Sequence, residues 1–74
     1  MGIFRVCLFQ ERNWTVVQCL DVDVATQGGS EPEAVANMQE ALALHFQTPA
    51  APLLAVSDFQ PPAAAKFMEI AVAV

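Results

Sequence analysis

The chain has almost no positive charge. Arg5, Arg12 and Lys66 are its basic residues, against eight Asp and Glu, and the formal net charge is −5. The three are scattered, so no basic patch exists to neutralise a phosphate backbone, and direct nucleic-acid binding is not expected. A basic protein partner suits the charge better. Cysteine is equally sparse. Cys7 and Cys19 are too few for a disulfide framework and lack the paired spacing of a zinc site. Two free, buried thiols in a reducing cytoplasm are the expectation. No run approaches the roughly 20 apolar residues of a membrane span. Arg5 and polar residues interrupt the first apolar stretch, so no signal peptide is expected. There are no internal repeats and no heptads.

What is abundant is apolar surface. Seventy-four residues make one domain with a modest core, yet 55% of them are hydrophobic. So small an interior cannot hide that fraction, which predicts that a further subunit covers part of it. A homo-oligomer, based on dimers, is the expectation.

Local patterns divide the chain. Ile3 to Gln10 reads as a strand, apolar on both faces; Trp14 to Leu20 is a second, β-branched one. A two-residue turn at Arg12-Asn13 sets Phe9 opposite Val16 and Val6 opposite Cys19. Phe4, Val6, Leu8, Val17 and Cys19 then share a wholly apolar face that suits a helix. Ile3, Phe9, Trp14, Val16 and Leu20 share the other, broken by Arg5 and Gln18, and that face suits a subunit contact. Phe9 and Trp14 are the candidate oligomer residues. Asp21-Val22-Asp23 is a bend, and Val24 to Gln27 a short third strand.

A helix is predicted from about Glu31 to Gln47. Ser30 and Glu33 form a capping box, Pro32 occupies the first turn, and Glu31 and Glu33 complement the positive end of the helix dipole. Val35, Met38, Leu42 and Phe46 form a stripe flanked by Ala34, Ala41 and His45. Glu33, Asn37, Glu40 and Leu44 lie opposite. Thr48 to Lys66 is rich in proline and alanine and reads as irregular, with Leu53 to Phe59 as a short strap. Phe67 to Val74 is a last strand. The order predicts an α+β fold: βββαβ in two layers, one helix on a four-stranded mixed sheet of order 3-2-1-4. A right-handed crossover would lay the last strand parallel to the first.

Few residues carry chemistry. Asp21 and Asp23 supply two carboxylates where a hard cation needs more oxygens, so a solvated bend is the better reading. His45 has no nucleophile or carboxylate signature around it and reads as a structural histidine near the helix C-terminus. Cys7 and Cys19 fall on opposite faces and have no basic neighbour to lower a thiol pKa. Gly28-Gly29 is a turn and not a phosphate loop, since no lysine follows. Trp14 and the strand phenylalanines lack the basic setting of a base-stacking platform. No catalytic, cofactor-binding or metal residue is assigned, and no enzyme activity is expected.

Val24-Ala25-Thr26-Gln27-Gly28-Gly29-Ser30, then Glu33-Ala34, then Glu40-Ala41-Leu42, carry a family likeness. The chain resembles the HicB family of antitoxins over roughly residues 3 to 47 and the terminal strand. The resemblance implies a partial ribonuclease-H-like fold without that enzyme's carboxylates. It also implies a partner: family members neutralise HicA, a small basic mRNA ribonuclease, by binding it and covering its active site. Many members add a C-terminal DNA-binding domain; this sequence shows a single domain, so direct operator binding is not expected. Glu33, Glu40 and Leu44 are the candidate partner contacts, two carboxylates around one apolar anchor. The plainer alternative is that Glu33 only caps, Glu40 is only solvated, and the strap covers Leu44. At the level of function, an orphan oligomeric scaffold or small-ligand module on the same fold is the alternative to an antitoxin. A divalent-metal nuclease is a third class, with too few carboxylates to support it.

Overall fold

The computed structural model describes residues 2–47 and 60–73. They form β1 (Gly2–Glu11), β2 (Trp14–Cys19), β3 (Ala25–Gly28), α1 (Glu31–Gln47) and β4 (Lys66–Val72). The expected strap at Leu53 to Phe59 lies outside the described residues.

The β1–β2 hairpin turns at Arg12-Asn13, and Phe9 pairs with Val16 and Val6 with Cys19, as expected. Arg12 carries the turn at a φ of 59°, a left-handed conformation that a branched side chain resists and a short hairpin demands. This register sends Phe4, Val6 and Leu8 of β1 toward the helix with Val17 and Cys19 of β2. Met68, Ile70 and Val72 of β4 join them.

The sheet order is β3-β2-β1-β4. One expectation is corrected: β4 runs antiparallel to β1, with Phe4 opposite Ile70 and Val6 opposite Met68, so the sheet is antiparallel throughout rather than mixed. The cause lies in the length of the connection. α1 is about 25 Å long, and β4 begins back at its N-terminal end, where Lys66 Nζ meets Glu31 Oε1 at 2.9 Å. A short loop would have entered β4 from the far end of the helix, parallel to β1. Residues 48–65 can reach about 60 Å when extended, enough to cover the return. With antiparallel neighbours the handedness rule for parallel crossovers has no force here.

The helix begins where the sequence places it. Ala34 N donates to Ser30 O at 3.0 Å, closing the first turn, and Glu33 N donates to Ser30 Oγ at a long 3.4 Å. The reciprocal half of the capping box is not formed among the described residues; Glu33 Oε2 lies instead over Gly29. Ala34, Met38 and Leu42 are fully buried, while Val35 and Phe46 are half-buried beside them. The fully buried line therefore starts at Ala34 instead of Val35 and keeps Met38 and Leu42. Asn37 is not on the outer side: its Nδ2 donates to Gln27 O of β3 at 3.0 Å. Gln39 Nε2 donates to Ala71 O of β4 at 2.9 Å, and Phe4 stacks on Phe46 with centroids 5.5 Å apart. Val22, read as part of a bend, is 6% exposed and closes one end of the core.

Candidate partner-binding surfaces

Two surfaces remain after the core is built. The first is the outer side of α1. Glu33, Glu40 and Leu44 are all exposed, Leu44 at 57%. Steps of seven and four residues at 100° per residue hold the three within about 40° of one another, along about 16 Å of helix. They do form one stripe. Glu31, two residues before Glu33, is tied to Lys66.

The charge on this surface is less compensated than the composition suggests. Lys66 is held by Glu31, and Arg5 by Asp21 at 3.0 Å. Neither Glu33 nor Glu40 makes an ion pair among the described residues. A stripe of negative charge around one apolar side chain attracts a basic surface at long range and gives it something to bury against on contact.

The second surface is the side of the sheet away from α1. It carries Ile3, Arg5, Cys7, Phe9 and Glu11 of β1, Trp14, Val16 and Gln18 of β2, and Phe67, Glu69 and Ala71 of β4. Ile3 is 61%, Trp14 48% and Phe67 59% exposed. A groove of about 450 Å³ opens at one end of this face, lined by Arg5, Leu20, Phe67 and Glu69 with Val6 and Met68. The centre of the face is closed by Cys7 and Gln18, both buried. The Gln18 amide is satisfied within its own strand region, donating to Cys19 O at 2.9 Å. Burial pushes the Cys7 thiol above its ordinary pKa, with the Gln18 backbone N–H pulling the other way, so it is a poor nucleophile. Cys19 lies in the core on the opposite face, as the register required.

Asp21 acts as a clasp on Arg5. It accepts the Arg5 backbone N–H at 2.8 Å and the Arg5 guanidinium at 3.0 Å. The Arg5 backbone N–H, the largest influence, holds its carboxyl below the usual range; burial opposes it, and the guanidinium bond and charge add smaller lowering effects. A carboxylate depressed in the folded state stabilises above its unfolded pKa of about 3.9, and loses that contribution as pH falls through the folded value. Below about pH 4, Asp21→Asn is therefore expected to lose stability with falling pH less steeply than the parent. Urea unfolding at a series of pH values checks this; parallel profiles would remove the clasp as an acid-sensitive contact. The pair is partly exposed, so added salt should weaken the effect.

His45 sits at the edge of the core, its ring edge-on to Phe46 with centroids 5.1 Å apart. Its Nε2 is buried without a hydrogen-bond partner among the described residues. No group of three or more His, Cys, Asp or Glu is placed to hold a metal among those residues. No helix among them is long and apolar enough to cross a membrane.

Sequence reasoning missed the groove and both ion pairs. The Arg5–Asp21 clasp was within reach: once Val6 is opposite Cys19, Arg5 falls beside Leu20 and the bend that follows. The groove was not, because two strands far apart in sequence and the bend at Leu20 build it together. No protein-family model matches the chain, and neither a curated protein nor a solved structure matches it.

Proposed function

We propose that this chain is a HicB-like antitoxin that works by binding and masking a small basic ribonuclease of HicA type in the cytoplasm, with no catalysis of its own and no direct contact with DNA. The observation that carries this reading is the outer stripe of α1: Glu33 and Glu40, with no ion pair among the described residues, around the exposed Leu44. The residues of the family likeness support it by their places in the fold. Ala25 to Gly28 form β3, Ser30 caps α1, and Ala34 and Leu42 enter the core, leaving Glu33 and Glu40 outward. The βββαβ order and the 3-2-1-4 sheet agree with a partial ribonuclease-H-like arrangement in sequence of elements. The direction of β4 is the point of departure from the mixed sheet expected here.

Acidic steering accelerates encounter with a basic partner, and a central apolar contact sets how long the complex lasts. Co-expression with any small basic protein encoded beside this one, followed by affinity capture, is expected to recover a complex. Glu40→Lys should slow association and Leu44→Asp should shorten its lifetime by tenfold or more, on the order of 1.4 kcal/mol. Capture that is indifferent to both substitutions would move the contact off α1. Absence of any complex would favour the second reading, an orphan scaffold or small-ligand module, for which the 450 Å³ groove on the open face is the supporting observation.

A further inference from the structure

The open face of the sheet has a knob at one end and a hole at the other. Trp14 begins β2 and is 48% exposed. Leu20, in the groove wall, lies just past the end of the same strand, its N–H donating to Arg5 O. Six residues of extended chain separate the two by about 20 Å. A two-fold axis set between two such faces, perpendicular to the strands, reverses strand direction while keeping β2 above β2. It carries Trp14 of each copy over Leu20 of the other, so one contact is made twice.

Charge follows the same symmetry. The Trp14 end of the face carries Glu11 and Arg12; the groove end carries Arg5 and Glu69. Reversal sets Glu11 over Arg5 of the other copy, with Arg12 one residue further on to offset Glu69 of the neighbouring strand. Arg12 makes no ion pair among the described residues, and Arg5 already shares Asp21, so covering the face strands no lone cation. The amide of Gln18 is satisfied internally.

Size argues for interlocking rather than flat contact. Four strands about 4.8 Å apart and the seven residues of β4 at about 3.3 Å each give a flat footprint of roughly 440 Å². A stable interface buries about 800 Å² per partner. Smooth faces would fall short, and an indole seated in a groove at each end supplies relief that a flat footprint omits.

We propose that two copies of this chain pair face to face through the open side of the sheet, Trp14 of each seated in the Arg5–Leu20–Phe67–Glu69 groove of the other. This places self-association on the side of the molecule opposite the proposed toxin stripe, so both can operate at once. Trp14 is the chain's single tryptophan, and its emission therefore reports on this contact alone.

Sedimentation velocity and tryptophan emission should be followed together from about one to several hundred micromolar, since an interface this small need not be tight. The expected result is a monomer–dimer equilibrium with emission moving to shorter wavelength as dimer forms. Trp14→Ala should weaken dimerisation by about 30-fold per site and up to about 1000-fold for the symmetric pair. Phe67→Lys, at a residue already 59% exposed, should abolish both dimer and emission shift while far-ultraviolet circular dichroism stays unchanged. Glu40→Lys on the far side should change neither. A monomer at several hundred micromolar overturns the proposal. So does self-association without an emission shift, or a folded Phe67→Lys protein that keeps the shift. The first two readouts use the unaltered chain, so they decide the matter even if a variant fails to fold.

Discussion

Leu42→Ala is expected to lower the free energy of unfolding by about 2–5 kcal/mol. Leu42 has no exposed surface, lies on the buried helix stripe, and is among the largest wholly enclosed side chains of the core. Truncation removes buried hydrocarbon and leaves a cavity between two layers that cannot both close on it: one is a hydrogen-bonded sheet, the other a helix tied to β3 and β4 by Asn37 and Gln39. A domain of this length has a total stability of about 4–11 kcal/mol, so the loss is a large share of the whole. With a denaturant slope near 1 kcal/mol/M, the urea midpoint should fall by about 2 M or more. Leu44→Ala, two residues on and exposed, should change stability by no more than about 0.5 kcal/mol. Equal effects at the two positions would contradict the orientation of α1.

Gly28→Ala is expected to cost about 1–3 kcal/mol, through contact and not through conformation. Gly28 ends β3 where the helix start crosses it. A Cβ there would stand 2.7 Å from Ala34 N, 3.0 Å from Ala34 Cα and 3.1 Å from Glu33 C. All three are backbone atoms of the first helical turn, fixed by the Ala34-to-Ser30 bond and by Thr26 Oγ1 donating to Ala34 O at 3.1 Å. The helix must lift or β3 must shift. Gly29→Ala is the control. Its Cβ would meet only Glu33 Oε2, at an ordinary 3.6 Å, and neither glycine has a positive φ. Gly29→Ala should be neutral or slightly stabilising, because it restricts the unfolded chain. Thermal unfolding of the two variants side by side separates close approach from backbone freedom; similar losses would defeat the explanation.

The legible parts of this fold were those governed by neighbours in sequence. A two-residue turn at Arg12-Asn13 leaves one register, and that register assigned Phe4, Val6, Leu8, Val17 and Cys19 to the core face. Ser30, Pro32 and the acidic first turn marked where the helix begins. The direction of β4 was not legible, because Met68, Ile70 and Val72 alternate alike whichever way the strand runs. What decides it is the return of the chain to Lys66 beside Glu31, a contact across thirty-five positions. Val22 was hidden by its neighbours: Asp21 and Asp23 read as solvent, yet the closed loop from Cys19 N to Val24 O turns the residue between them inward. Of the candidate surfaces, the helix stripe followed from a 3.6-residue period, while the groove needed β1, β4 and the bend at Leu20 in place first.

The amides of Asn37 and Gln39 have a consequence for the protein in crowded solution. Arg5 directs its backbone N–H to Asp21 and its carbonyl to Leu20, on the β2 side. By alternation Phe4, Val6 and Leu8 bond to β4, and the backbone of Ala71 points outward from the sheet. The same alternation turns Gln27 of β3 outward. Those are the free margins of the sheet, where a stray strand could add and a fibril could begin. Each bears one carbonyl already occupied by a side chain reaching down from the helix. An incoming strand would have to displace these amides before extending its ladder, and an eight-kilodalton chain with so much valine and alanine has need of such guards.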